Sequence, residues 1–224
     1  MLKGHAVYVL GLGFAVAAAT GLAAGDTDPL TAADFDPKPG NVCTYEMNHN
    51  GQKAKWTLEV LEVTDTVVRS EFRRVGDSSE SIPVVDGKSA DGILVTSGMA
   101  VHHGTQWIAE SGIQWTVFPL EPKKKWKSGA VISGTNAAGQ AWKVKNKFSN
   151  KADKKWKKLK TPAGEFMTLK VVTKESITGL SGSFRGTGRV TYWFGRGDCP
   201  IKKWEYRNSF GEKGKSELIA EGSI

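Results

Sequence analysis

Apolar and polar residues alternate with a period of two along much of this chain, and this alternation restricts the fold more than any other feature. It runs through residues 56–60, 142–145, 167–173, 190–194 and 204–207. Side chains two residues apart share one face of a strand, so each segment is predicted to be a half-buried strand. No stretch of eleven or more residues has a convincing helical period. The sequence predicts an all-β fold.

Turn signals separate these strands at short intervals. Asn50-Gly51, Asp86-Gly87 and Asp91-Gly92 are typical of β-hairpins. Glycine is abundant, at 26 of 224 residues, but has no Gly-X-Y period, which excludes collagen and suits a turn-rich fold. We expect about 10–12 antiparallel strands with little helix in one domain.

The first 25 residues have the composition of a secretory signal peptide. Lys3 and His5 precede an uncharged apolar run at residues 6–19, and small residues follow. The run is short for a ~30 Å hydrocarbon core, and cleavage near Ala23 to Gly25 fits best. We expect a periplasmic or secreted protein without a transmembrane segment after signal removal. A buried helix or an uncleaved anchor is the alternative.

The segment after the signal peptide differs from the rest of the chain in composition and in its lack of a period. Residues 26–40 contain three prolines and four aspartates without periodicity, which predicts a linker or an arm along the sheet. The β domain is then expected to cover residues 41–224.

The two cysteines, Cys43 and Cys199, lie near opposite ends of that domain. In an oxidising compartment two lone cysteines most often pair, and closing so long a loop would contribute ~4–5 kcal/mol by the loop-entropy argument. We predict one disulfide. Two separate buried thiols or one reactive thiol are the alternatives.

Positive charge is concentrated in one segment. Residues 121–160 contain 13 lysines and 2 acidic residues, whereas residues 26–120 contain 7 basic and 14 acidic residues. Within this segment Trp and Lys alternate, so a strand would direct indoles inward and ammonium groups outward. A solvated strand face, with lysines that protect a sheet edge, is one interpretation. A surface for an anionic partner is the other, and its candidate residues are Lys123, Lys124, Lys125, Lys154, Lys155, Lys157 and Lys158.

Three motifs follow one another in a recognisable order. They are Phe-Pro-Leu-Glu-Pro-Lys-Lys-Lys-Trp at residues 118–126, Thr-Pro-Ala-Gly-Glu-Phe at 161–166 and Thr-Tyr-Trp-Phe-Gly-Arg-Gly at 191–197. Across residues 115–210 the chain resembles exported bacterial proteins of an uncharacterised family, and it departs from their pattern after Trp193. The resemblance implies a strongly curved antiparallel sheet, a half-barrel or open barrel like that of periplasmic lipoprotein carriers, with an apolar concave face. It implies no catalytic residue.

The leading hypothesis is therefore a non-catalytic periplasmic protein that binds or carries a lipid or other hydrophobic ligand in that concavity. The expected apolar face comprises Trp56, Trp142, Met167, Leu169, Tyr192 and Trp204. An ordinary core with nothing bound is the alternative. The rival hypothesis is a protein that docks on anionic lipid, lipopolysaccharide or polysaccharide through the seven lysines.

Catalytic and cofactor motifs find little support in the sequence. His102 and His103 are adjacent, so a strand would direct them to opposite faces, and we expect no metal site. The glycine-rich residues 182–188 lead into a strand, whereas a phosphate-binding loop leads into a helix. We expect no enzyme activity, no cofactor and, given export, no nucleic acid partner. An enzyme of unknown class is a remote alternative.

Overall fold

The structure is a computed structural model that describes residues 27–35, 37–89, 91–100, 105–135, 139–180 and 184–223. The described residues form thirteen antiparallel strands and one short 3₁₀ helix. The 3₁₀ helix spans Ala32–Phe35, and the strands are β1 (Asn41–His49), β2 (Gln52–Val63), β3 (Val67–Arg74), β4 (Asp77–Ser89), β5 (Gly92–Ala100), β6 (Thr105–Val117), β7 (Lys125–Thr135), β8 (Ala141–Ala152), β9 (Lys157–Thr161), β10 (Gly164–Gly179), β11 (Arg185–Gly195), β12 (Ile201–Asn208) and β13 (Lys213–Ser223).

These strands form one sheet that closes on itself. Strands β1 to β8 pair in chain order, β8 pairs with β10, β10 with β11, and β13 returns to β1. Twelve strands thus make a barrel, while β9 pairs only with the first residues of β10, from Gly164 to Thr168. The predicted all-β fold with one strongly curved sheet is confirmed. Closure goes beyond the expected half-barrel, and it pairs the backbone groups that an open sheet would leave at its edges.

The period of two places alternate side chains inside and outside the barrel, and strand β8 is the clearest case. Trp142 packs against the core while its neighbour Lys143 is exposed. The same alternation continues to Ala152, which is buried, beside the exposed Lys151. The predicted orientation of the Trp-Lys segment is thus confirmed on this strand.

The barrel has two ends. At the hairpin end, tight turns join the strands, and Asn50 and Gly51 adopt the positive φ values of 47° and 90° between the paired residues His49 and Gln52. Both central residues of a two-residue hairpin need positive φ, which explains an Asn-Gly pair there. At the opposite end, which we call the arm end, β6 and β11 terminate near Phe118 and Phe194.

Large side chains fill the interior. Trp56 stacks on Phe72 with ring centroids 4.9 Å apart. Trp115 meets Tyr192 and Phe194 edge-on at 5.5 and 5.3 Å. Such contacts contribute about 0.5–1.5 kcal/mol each beyond the apolar area that they bury.

The N-terminal arm, residues 27–35 and 37–40, packs against the arm end. Leu30 and Leu120 exchange two backbone hydrogen bonds of 2.9 and 2.7 Å. The Phe35 ring is buried 5.0 Å from Phe118 and 5.8 Å from Phe194. Arg196 pairs with Asp34 and also donates to the backbone oxygen of Asp28. This segment therefore closes the end of the barrel with its own side chains.

The disulfide predicted between Cys43 and Cys199 is confirmed. Their Cα atoms are 5.7 Å apart and both residues are buried. The bond joins β1 to the segment that leads into β12. Because these positions are 156 residues apart in sequence, it restricts the unfolded chain strongly.

Candidate functional site

Five of the six residues predicted to form an apolar binding face lie in the core cluster or pack against it, and Met167 is not among them. Trp56, Leu169, Tyr192 and Trp204 are buried in the core cluster, whereas Trp142 and Met167 are half-buried. Tyr192 lies directly opposite Trp204 on the neighbouring strand. That a ligand binds this face stays a prediction.

A small cavity of about 270 Å³ lies beside the arm. Its apolar wall is formed by Phe35, Ile93 and Phe118, together with Ala32 and Ala33 of the 3₁₀ helix. Its polar wall comprises Asp65, Lys88 and Ser89. The cavity lies between the arm and the barrel, so movement of the arm would enlarge it.

The seven lysines predicted as an anionic-surface site lie together near the arm end, and we call them the lysine cluster. Backbone hydrogen bonds join their segments: the Lys123 amide donates to the Asp153 oxygen, and the Ala152 amide donates to the Lys124 oxygen, each at 2.8 Å. Two of the seven already have acidic partners, since Lys157 pairs with Asp153 and Lys158 with Glu165, each at 3.0 Å. The hydrogen bond from Lys157 lowers the pKa of Asp153.

A second group of cations was not recognised from the sequence. Five basic residues on five strands line up across the outer wall, and we call them the cationic row. Lys127 of β7 and Lys174 of β10 both lie opposite Ser149 of β8. Lys174 also lies opposite Arg189 of β11. Arg189 lies opposite Arg207 of β12, which lies opposite Lys213 of β13. All five side chains are exposed or half-buried. Among the described residues, none of the five takes part in an ion pair.

On the wall formed by β1 to β3, Lys53, Arg69 and Arg73 have acidic partners. Lys53 pairs with Glu46 at 3.3 Å, and Arg69 with Glu62 at 3.0 Å. Arg73 pairs with Glu71, and its hydrogen bond lowers the pKa of that carboxyl. Ion pairing is not confined to this wall, since Lys203 of β12 also pairs with Glu217 at 2.9 Å.

A groove of about 590 Å³ lies over part of the cationic row. Its basic lining consists of Lys170, Arg189, Arg207, Lys213 and Lys215. The acidic residue in its lining is Glu205, whose carboxylate lies 3.1 Å from Lys203. Guanidinium groups suit bidentate contacts with phosphate or sulfate oxygens, and ammonium groups add less directional attraction. The groove can therefore accommodate an anionic group.

Glu175 is a buried acid in the barrel interior. Glu175 accepts a 2.6 Å hydrogen bond from the side-chain amide of Asn146. A side chain at Gly188 on the neighbouring strand would come within 2.8 Å of the Glu175 carboxylate, so this glycine makes room for it. Burial raises the pKa of Glu175 to about 8. The acid is therefore mostly protonated at neutral pH.

Within the described ranges, no group of three or more His, Cys, Asp or Glu side chains is placed to hold a metal ion. His102 and His103 lie outside the residues that the structure describes. In the part of the chain that is described, no helix has the length and apolar character to cross a membrane.

Comparison with known proteins gives similarity at the level of structure. No family model and no curated protein matches the chain. A protein of Bacteroides fragilis NCTC 9343, named as exported and as having a YmcC-like fold, has a TM-score of 0.58 at 14% identity, covering 88% of this chain and 100% of that one. A protein named as a lipoprotein from Parabacteroides distasonis ATCC 8503 has a TM-score of 0.48 at 12% identity, with the same coverage. The lipoprotein YmcC of Escherichia coli K12, named as hypothetical, gives 0.44 at 8% identity over 84% of this chain and 87% of that one.

The first of these similarities indicates a shared fold and carries no information on activity. It agrees in coarse terms with the resemblance to exported bacterial proteins that have a curved antiparallel sheet. That the three sequence motifs mark membership of that group stays a prediction.

Proposed function

We propose that this chain is a non-catalytic exported protein that docks on an anionic surface of the cell envelope through the cationic row and the groove above it. Export is inferred from the first 25 residues, which lie outside the described part of the chain. The observation that carries the docking function is the cationic row. Its members are brought together from residues 127 to 213 by strand pairing and lack acidic partners among the described residues.

Protection of a sheet edge does not account for these cations. Lysine commonly blocks edge-to-edge association of open sheets. Strands β11, β12 and β13 are each paired on both sides, so they present no edge that needs such protection. Placing like charges opposite each other costs up to about 1 kcal/mol per pair. A ligand that neutralises the row would offset this cost.

The test compares two sets of cations. The row variant carries Lys174→Gln, Arg189→Gln, Arg207→Gln and Lys213→Gln; the matched cluster variant carries Lys123→Gln, Lys124→Gln, Lys154→Gln and Lys155→Gln. Binding to phosphatidylglycerol-containing vesicles is measured by co-sedimentation at ~20 and ~150 mM salt.

Wild-type binding should weaken steeply with salt, since exposed charges are screened. The row variant should lose at least about tenfold in affinity, because each basic residue near an anionic membrane contributes ~1 kcal/mol. The cluster variant should lose less. Equal binding by wild type and row variant at low salt would contradict the proposal.

The apolar-ligand hypothesis is a second candidate, favoured by the cavity between the arm and the barrel. Phe35 and Phe118 would contact a ligand there, and displacement of the arm would extend the site toward the aromatic interior. Native mass spectrometry of the protein purified from its own envelope, followed by organic extraction, tests it. A co-purifying lipid would support a carrier; recovery of bare protein would count against one.

A further inference from the structure

The hairpin end carries an exposed apolar tip beside the cationic row. Phe210, in the β12–β13 turn, is 38% exposed, and its ring stacks on that of Phe184 at 5.5 Å with 5° between the planes. Leu180, just after β10, is 50% exposed. Two neighbouring hairpins therefore present apolar side chains at the same end of the barrel.

Several contacts hold Phe210 in this position. Asn208 Oδ1 accepts hydrogen bonds from the Phe210 and Glu212 amides at 2.8 and 3.1 Å. Gly186 leaves space for the ring, since a side chain there would approach it within 2.6 Å. The Phe210 ring is thus held at the surface by an ordered turn.

Basic residues flank the tip. Arg207 and Lys213 each lie three residues from Phe210, on either side of the turn, so their Cα atoms are at most about 10 Å from that of Phe210. Arg185 directly follows Phe184. The acidic residue of the turn, Glu212, accepts a 2.9 Å hydrogen bond from Asn208. This upper limit is comparable to the ~5–10 Å to which interfacial segments penetrate the boundary between headgroups and acyl chains.

We infer that the anionic partner is a phospholipid bilayer, in which Phe210, Phe184 and Leu180 enter the acyl boundary while Arg207, Lys213 and Arg185 meet the headgroup phosphates. This inference rests on the proposed docking function and adds to it the class of partner and the orientation of the barrel. A soluble polyanion would contact the cations and gain nothing from the apolar tip. A bilayer presents phosphates to the basic residues and an acyl region to the apolar tip.

The tip variant combines Phe210→Ser and Leu180→Ser. The matched control is Leu61→Ser, because Leu61 is 48% exposed near the arm end of β2. All proteins are titrated with phosphatidylcholine–phosphatidylglycerol vesicles and, separately, with dextran sulfate.

The tip variant should bind vesicles at least ~tenfold more weakly, the loss expected when buried apolar side chains are removed, and should bind dextran sulfate within about twofold of wild type. The control should match wild type with both ligands. Unchanged vesicle binding by the tip variant, with loss in the row variant, would overturn the insertion inference and leave docking intact. Binding of wild type to dextran sulfate but not to vesicles would overturn the bilayer inference alone, and binding to neither ligand would overturn both.

A fluorophore placed at the tip reports membrane insertion directly, whatever the affinity of the protein for vesicles. Both native cysteines are in the disulfide, so Phe210→Cys can be labelled selectively with an environment-sensitive fluorophore. Its emission should shift to the blue when anionic vesicles are added, whereas the same label at Leu61→Cys should not shift. An unshifted label at position 210 on vesicle-bound protein would overturn the inference.

Discussion

Arg189 on β11 lies directly opposite Arg207 on β12, in the outer wall of a closed barrel. The like-charge arrangement extends to Lys174 on one side and Lys213 on the other. Repulsion between directly opposed cations destabilises a sheet by up to about 1 kcal/mol. Under the proposed docking function, this pair lowers the stability of the fold while it favours binding of an anionic partner.

Replacing Arg207 with Glu should make the fold more stable and the docking weaker. The new carboxylate would lie between Arg189 and Lys213, so the free energy of unfolding should rise by about 0.5–1 kcal/mol. Affinity for anionic vesicles should fall. Urea denaturation and vesicle binding measure the two effects. Arg207→Gln, which removes repulsion without adding a pair, should give a smaller gain in stability; a less stable Glu variant would contradict the argument.

Glu175 should make stability fall as pH rises. Its folded pKa of about 8 lies above the ordinary value of 4.5, so the folded state keeps a proton that the unfolded state releases. The stability contribution is complete below pH 4.5 and is lost progressively up to about pH 8. Relative to Glu175→Gln, the wild type should lose up to a few kcal/mol across this window.

Denaturant midpoints measured across that window for both proteins test this expectation. The glutamine variant retains a neutral side chain of similar shape and titrates nothing at position 175. Parallel stability curves for the two proteins would show that the buried acid is not responsible.

Phe35 should determine whether the arm stays in place. Replacing it with Ala removes a ring packed between Phe118 and Phe194, which should cost about 3–5 kcal/mol if the arm stays coupled to the barrel. Hydrogen exchange at the Leu30 amide, which bonds to the Leu120 oxygen, should accelerate. Ala33→Ser, on the same 3₁₀ helix but exposed, is the control. Unchanged exchange at Leu30 would show that Phe35 does not hold the arm.

The disulfide should contribute strongly to stability. The double variant Cys43→Ser, Cys199→Ser should lose about 2–5 kcal/mol of unfolding free energy, because its unfolded chain is no longer cross-linked. Guanidinium denaturation of the variant should match that of wild type unfolded under reducing conditions. A variant as stable as the oxidised protein would contradict this expectation.

Local pattern was sufficient to predict strands and the inward direction of Trp142, because a period of two is a property of the backbone itself. The disulfide between Cys43 and Cys199 was also predictable, since two lone cysteines in a chain predicted to be exported have few alternatives. The lysine cluster was visible because its members are close in sequence. All three follow from composition and short-range order.

Register and closure were decided only by the tertiary structure. Lys127 and Lys213 lie 86 positions apart in sequence, and only the pairing of β7 through β13 places them in one row. A shift of one residue in any pair would send an outward cation inward, and no local signal specifies that choice. Closure followed from pairing of β13 with β1, which depends on the summed curvature of all strands. The sequence by itself thus determined strands, turns and the disulfide, whereas long-range pairing decided which charges share a surface.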